Sequence, residues 1–522
     1  MKKAKRGLPK GPMRKTVSWL LNASSDSYWK QQAIHAGLDL HNAVRESPIQ
    51  HPWKSFYFEQ AFLKILHKVH WNLQALSLFD RLQIKHYTRF IEAFSFSDPL
   101  LSAETASQLL SMLPELKIVT FHQTNGLIQA TFGCNLDRNP LHTVKLVDIH
   151  LIDGRTLNFI PKNVRTVVIC NARHITCDFL QGLHERPQLD TLIIRSSSLE
   201  QNALYHVPKQ IQHLDLSFSG KDQNPRMLQL VPQQLLTFCC NGWSQCSDLE
   251  LSYLPQTIVS IELNNWTLTE LGMKELSKLP LTHCSLKECS ALQGIGLLPK
   301  TLQTLNLSGN KLEKKELAAL TEFVHLNTLY MQSCVLEGSL PIVSQTLTEL
   351  SLAHTPITKE SLEAIQKLSQ LTKLCLQGCS IENGDLEALP CGLEHLDLSD
   401  CNSLTDTGAH LLQRLEKLHT LVIDRCEQIR GLCLSTLSSS IKKLSLQGCH
   451  RLSGRCLGQL PSGIEELCIA NCELVEPNDL RTIPRSLQII TLSRNSRVSL
   501  DFFEYSHWSK IEENEITTLI RS

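Results

Sequence analysis

Apolar residues recur through the middle of the chain at i, i+3 and i+5, followed by Cys, Asn or another small residue at i+8. Leu302, Leu305, Leu307 and Asn310 form one such unit, and Leu371, Leu374, Leu376 and Cys379 form its cysteine version. That version returns in Leu393, Leu396, Leu398, Cys401 and in Leu418, Leu421, Ile423, Cys426. Seventeen units start at 116, 141, 164, 189, 211, 235, 258, 281, 302, 326, 347, 371, 393, 418, 441, 464 and 487, spaced 21 to 25 residues apart. Two weaker forerunners start at Leu73 and Ile91, separated by 18. Self-similarity of this period predicts a solenoid, in which each unit buries its apolar side against its neighbours. Positions i+3 and i+5 lie two apart, so they share one side of a strand and enter the core. At i+8 the chain turns away and leaves backbone groups that strand pairing no longer satisfies. Asn can bond to them, and a small buried Cys fits as a weak partner. Cys fills seven of these positions (289, 334, 379, 401, 426, 449 and 472) and Asn fills two, 310 and 495.

The segments between predicted strands are of two kinds. Thr358-Lys-Glu-Ser-Leu-Glu-Ala-Ile-Gln-Lys-Leu368 reads as a short helix with an N-cap threonine and apolar residues at helical spacing. Others carry a proline three residues before the next unit, at Pro161, Pro208, Pro232, Pro255, Pro299, Pro390, Pro461 and Pro484. Proline lacks a donor and fixes φ, so it ends the convex segment and sets up the following strand.

These units carry the leucine-rich repeat signature, whose period is ~20–29 residues. The expected fold class is an α/β solenoid: a leucine-rich repeat horseshoe with parallel concave strands and a helical N-terminal cap. Leu393-Glu-His-Leu-Asp-Leu-Ser-Asp-Cys-Asn-Ser-Leu-Thr-Asp-Thr-Gly408 resembles the cysteine-containing repeat of F-box/LRR proteins, as does Ile441-Lys-Lys-Leu-Ser-Leu-Gln-Gly-Cys-His-Arg-Leu-Ser453. The resemblance covers residues 281–495 closely and 116–280 loosely. Units with Leu-Pro segments resemble a second group, the leucine-rich repeat effectors of intracellular bacteria, some of which add a ubiquitin-ligase domain with a catalytic Cys-x-Asp. The one Cys-x-Asp here is Cys246-Ser-Asp248, inside the convex stretch of a repeat, and 27 residues follow Asn495, too few for a separate catalytic domain. Cys246 therefore reads as a structural thiol.

At the N-terminus, Tyr28-Trp-Lys-Gln-Gln-Ala-Ile-His-Ala-Gly-Leu38 and Pro52-Trp-Lys-Ser-Phe-Tyr-Phe58 resemble the second half of an F-box and the helix after it. That resemblance implies an adaptor subunit of a ubiquitin ligase as partner, with Trp29 and Trp53 as adaptor-binding residues. The same stretch also reads as a helical cap over the exposed first repeat, which solenoid ends require.

Composition sharpens the boundaries. All 19 cysteines lie between Cys134 and Cys472, whereas 14 of the 30 aromatic residues precede residue 97. The organisation expected is a basic tail over 1–25, a helical region over 26–115 with a partial F-box and degenerate repeats, the array of about seventeen units over 116–495, and a C-terminal cap over 496–522. The tail has seven Lys/Arg within Met1 to Lys15, read as a solvated segment, and no apolar run of signal-peptide length follows. A cytoplasmic home is expected, or a host cytosol for a secreted effector. In a reducing cytosol the cysteines are thiols. Fifty-one basic against 51 acidic residues give no basic excess, so nucleic acid is not an expected partner, and no stretch is long and apolar enough to span a membrane.

Few constellations suggest chemistry. His67 and His70 lack a third ligand, and Cys239, Cys240 and Cys246 with His213 fit no metal-ligand spacing, so neither metal nor cofactor is expected. Neighbouring ladder cysteines would lie ~4.8 Å apart, within disulfide range, but thiols pointing into the turn would stay unpaired. Binding is expected on the concave face, at i+2, i+4 and the turn beyond. Seventeen rungs give an arc of roughly 80 Å, ample for a protein–protein interface. Position i+4 is mostly neutral, with charge at Lys145, Asp215, Glu262 and Asp397. Tyr330 is the one aromatic at i+4, and His283, Tyr330, Lys373, His395 and Asp397 are the expected partner-binding residues. The function expected is a non-catalytic, monomeric scaffold that captures a protein, as ubiquitin-ligase substrate receptor or effector. A cysteine-dependent ubiquitin ligase is the alternative, and a purely structural role the third reading.

Overall fold

The computed structural model describes residues 52–68, 83–85, 87–97, 103–124, 140–200, 202–219, 225–243, 246–493, 508–513 and 516–521. The tail over 1–25, the Leu73 forerunner, Trp29, His70 and Asn495 lie outside the described residues, and Trp53 is described by its backbone alone. The chain divides into two compact units, Met1–Ile211 and Gln212–Ser522.

A strand begins two residues into each of the seventeen units and into the Ile91 forerunner. In the first unit, strands Ala93–Phe96, Ile118–His122, Thr143–Val147, Thr166–Cys170 and Thr191–Arg195 pair in parallel, with Ala93, Ile118, Thr143, Thr166 and Thr191 in register. In the second unit, thirteen parallel strands run from His213–Asp215 to Ile489–Ser493, again without a register shift. Both are leucine-rich repeat solenoids. The period-2 alternation sets the register: residues i+3 and i+5 are buried, and a one-residue slip would turn every one of them to solvent.

The convex turns follow the proline rule. The carbonyls of all eight prolines at i−3 accept from the amide of residue i, at 3.2–3.4 Å, so the missing proline donor is never needed. Thr358 caps the helix Lys359–Gln366 as its spacing predicts, its hydroxyl accepting from the Ser361 amide.

The ends are closed differently. Helix α1 (Pro52–Lys68) buries Ser55, Phe58, Glu59, Phe62, Ile65 and Leu66, a stripe at helical spacing. Its polar pair covers the outer edge of strand Ala93–Phe96. The Ser55 hydroxyl accepts from the amides of Glu92 (2.7 Å) and Ala93 (3.1 Å), and Glu59 Oε1 accepts from the Ser95 amide (3.0 Å). Among the described residues, side chains i and i+4 thus take the place of a strand neighbour and blunt the edge. Burial in that position pushes the Glu59 carboxyl up to about 8, against the hydrogen bond from Ser95. At the other end, a hairpin of Trp508–Glu513 and Ile516–Arg521 adds antiparallel to Ile489–Ser493.

Candidate functional site

Three features build the concave face: outward side chains at i+2 and i+4, a turn at i+6 and i+7, and, in the rungs from Leu235 to Ile464, a buried donor at i+8 that holds the turn. Residue i+7 has a positive φ, between 50° and 78°, in all sixteen rungs from Leu116 to Ile464. Only four of these are glycines: Gly242, Gly309, Gly378 and Gly448. Each follows a rung whose i+7 residue is large, and a Cβ on the glycine would collide with Phe218, Glu288, His354 or Arg425, respectively. Glycine is chosen there for space as well as conformation.

At i+8 the seven ladder thiols donate to the i+5 carbonyl of the preceding rung at 3.0–3.3 Å. Burial pushes the Cys401 and Cys426 thiols up to about 12, so they keep the proton that this bond needs and are poor nucleophiles. The indole N–H groups of Trp243 and Trp266 fill the same role, donating to the carbonyls of Leu216 (3.0 Å) and Cys240 (2.5 Å). Sequence reasoning had no place for tryptophan in a small-residue slot. The common property is a donor.

On the face itself, the aromatic and charged residues pair across rungs. The Tyr330 hydroxyl donates to Glu349 Oε1 at 2.8 Å, and Lys373 Nζ lies 3.4 Å from Glu349 Oε2. Burial, followed by Glu349, pushes the Tyr330 phenol up to about 12, so it remains a donor. Lys443 pairs with Glu466 at 2.8 Å, and Arg425 grips Asp400 with two bonds of 2.6 and 2.7 Å. Lys373 and His395 are in register neighbours, as are Cys375 and Asp397. Asp397 Oδ1 accepts from the Ser399 amide (2.9 Å) and hydroxyl (2.6 Å). His283 sits apart from Tyr330, in register with Thr304 and then Thr328, and bonds to Thr282 at 2.8 Å. Of the five expected residues, Tyr330 and Lys373 are joined through Glu349, while His395 and Asp397 lie three rungs beyond Tyr330. Glu349, which joins Tyr330 to Lys373, was missed because a lone carboxylate at i+2 carries no sign of what the two neighbouring rungs put beside it.

The neutral floor expected from i+4 also needs correction. Among the described residues of the second unit, positions i+2, i+4, i+6 and i+7 hold eight carboxylates against four lysine or arginine cations. A shallow depression of about 140 Å³ lies on the last rungs, its lining including Thr420, Val422, Ser445, Cys468, Ile489 and Thr491 together with the Lys443–Glu466 pair.

The Cys-x-Asp pair has a structural explanation. Asp248 accepts from the Thr269 amide (2.9 Å), the Thr269 hydroxyl (2.5 Å) and the Gly272 amide (3.2 Å), capping the next rung's convex helix. Burial, then Glu250, pushes the Cys246 thiol up to about 11, away from the reactive thiolate. Among the described residues no group of three or more His, Cys, Asp and Glu could hold a metal ion, and no helix is long and apolar enough to cross a membrane.

Family models described as leucine-rich repeat match residues 301–323, 343–365 and 391–412, so the chain carries leucine-rich repeats. No curated protein matches the chain. Among solved structures it is similar to TLR13 in its complex with ssRNA13, at 14% identity over 77% of this chain and 60% of that one, with a TM-score of 0.39. It spans less than two thirds of that relative's length. It is also similar to the mouse RP105/MD-1 complex (16% identity, 78% and 80% coverage, TM-score 0.46). A third is the internalin InlF of Listeria monocytogenes (15% identity, 74% and 96% coverage, TM-score 0.39).

Proposed function

We propose that this leucine-rich repeat chain is a non-catalytic scaffold that captures a protein partner on the concave face of its second unit. The observation that carries the reading is the Tyr330–Glu349–Lys373 constellation, an aromatic anchor and a cation held by one carboxylate on a face whose i+4 positions are mostly small. The high thiol pKa values of the ladder and of Cys246 support a binder over a cysteine-dependent ligase. His283, His395 and Asp397 extend the anchor patch along the same face.

The test places a photo-crosslinking residue at Tyr330 or Thr420 of the full-length protein, with Glu363 on the convex side as control. Adducts at the two concave positions, lost when Lys373→Ala accompanies a crosslinker at Thr420, support capture there. Adducts confined to Glu363 would refute it. The finer role is substrate receptor of a ubiquitin ligase or secreted effector, supported by the cysteine repeat form and the F-box-like residues around Trp29 and Trp53. Affinity purification of the full chain against residues 52–522 checks it, because that truncation keeps Ser55 and Glu59 on the first strand. Adaptor subunits bound only by the full chain are the expected result; equal recovery removes the receptor reading.

A further inference from the structure

The chain is electrically balanced, yet the concave face of its second unit is not: eight carboxylates face four cations there, among the described residues. Asp215 and Glu262 carry half of the excess, and the other half lies on the rungs starting at Leu393 and Leu418. Their one cation, Arg425, is committed to Asp400. Asp397 and Asp424 form no ion pair among the described residues. Both are nonetheless held in fixed directions: Asp397 by the Ser399 amide and hydroxyl, Asp424 by the Ser445 hydroxyl (2.6 Å) and the Gln447 amide (2.8 Å). Burial raises the Asp424 carboxyl above its ordinary range, against those hydrogen bonds and the charge of Arg425, with the like charge of Asp397 a smaller addition.

These carboxylates border the apolar depression. Val422 of its lining is the register partner of Asp397, and Ser445 of its lining is the residue that holds Asp424. A sheet face with pre-oriented carboxylates that outnumber the one cation among them, beside a mostly apolar hollow, is complementary to a cation next to an apolar side chain. We propose that the segment captured by this end of the concave face is an extended basic stretch of a partner protein, its Lys or Arg at Asp397 and Asp424 and an apolar side chain in the depression. This rests on the concave-face capture proposed above and adds the partner's charge. The sign of the face also turns away nucleic acid and anionic lipid surfaces.

Fluorescence anisotropy on the full-length protein tests it with two labelled twelve-residue probes, alternating Lys-Leu and alternating Glu-Leu. The Lys-Leu probe is expected to bind, more weakly at 200 mM than at 50 mM salt, and the Glu-Leu probe not to bind. Asp397→Asn with Asp424→Asn should weaken the Lys-Leu probe about tenfold, the loss of two exposed ion pairs. Glu363→Gln with Glu387→Gln removes the same charge from the convex side and should change binding less than about twofold. Equal losses in both double variants, or equal binding of both probes, overturn the proposal. If concave crosslinks persist unchanged in the Asp397/Asp424 variant, the basic-segment inference falls while concave capture stands. If no concave crosslinks form, the capture reading itself has failed.

Discussion

Replacing Asn310 separates the two ways in which a rung closes its turn. Asn310 is 2% exposed and serves three backbone groups: Oδ1 accepts from the Cys289 amide (2.8 Å), and Nδ2 donates to the carbonyls of Leu286 and Leu307 (both 2.7 Å). Thr355 likewise accepts from the Cys334 amide at 3.1 Å. Where the next rung carries Cys, which is a weak acceptor, the amide instead closes on its own rung's i+5 carbonyl. Cys379 bonds Leu376, Cys401 bonds Leu398 and Cys449 bonds Leu446, at 3.1–3.3 Å. Asn310→Cys should therefore convert the rung to the cysteine arrangement, with the Cys289 amide and the new thiol both reaching the Leu286 carbonyl. The Leu307 carbonyl keeps the Cys334 thiol at 3.2 Å. The net loss is one neutral hydrogen bond, ~1 kcal/mol. Asn310→Ala removes the donor to Leu286 and leaves a void, ~2–3 kcal/mol. Asn310→Asp keeps the shape but turns an acceptor and a buried charge toward two carbonyl oxygens, ~3 kcal/mol or more. Urea unfolding gives the order, Cys mildest and Asp worst. Because a repeat array can unfold in parts, amide exchange on the peptide containing Cys289 supplies the local reading. If Cys and Ala cost the same, or Asp is as mild as Cys, the ladder argument is wrong.

Two further outcomes follow from groups outside the ladder. Gly378 has φ +66° with the His354 ring over it, so Gly378→Ala should cost ~2 kcal/mol from backbone strain plus collision, with about half recovered when His354→Ala is added; strictly additive costs in the double-mutant cycle refute the contact. Glu59, with its folded pKa raised from 4.5 to about 8, is neutral in the folded protein at pH 7 but ionised when unfolded. Its contribution is complete below about pH 4.5 and is lost as pH rises through about 8, at up to ~1.4 kcal/mol per pH unit. Glu59→Gln keeps the acceptor for Ser95 and should flatten that part of the melting-temperature profile; parallel profiles for the two proteins argue against the buried, protonated carboxyl.

The repeat phase was legible because it is local chemistry. Apolar residues at i+3 and i+5 define one side of a strand wherever they occur, so strand positions, register, the proline turns and the Thr358 cap all follow from spacing along the chain. The Cys ladder was legible as a buried small-residue position, though not as one role shared with Trp243 and Trp266. Pairing between rungs was not legible. Tyr330 meets Glu349 at 19 residues' separation and Arg425 meets Asp400 at 25, distances that change with every repeat length. Likewise, nothing within α1 announces that Ser55 and Glu59 will bond the edge amides of a strand some 37 residues away. A residue's own period decides whether it is buried, but its partner is decided by what the neighbouring rung puts beside it. For that reason the solenoid came from sequence alone, whereas the pairings across its concave face came only from the stacked structure.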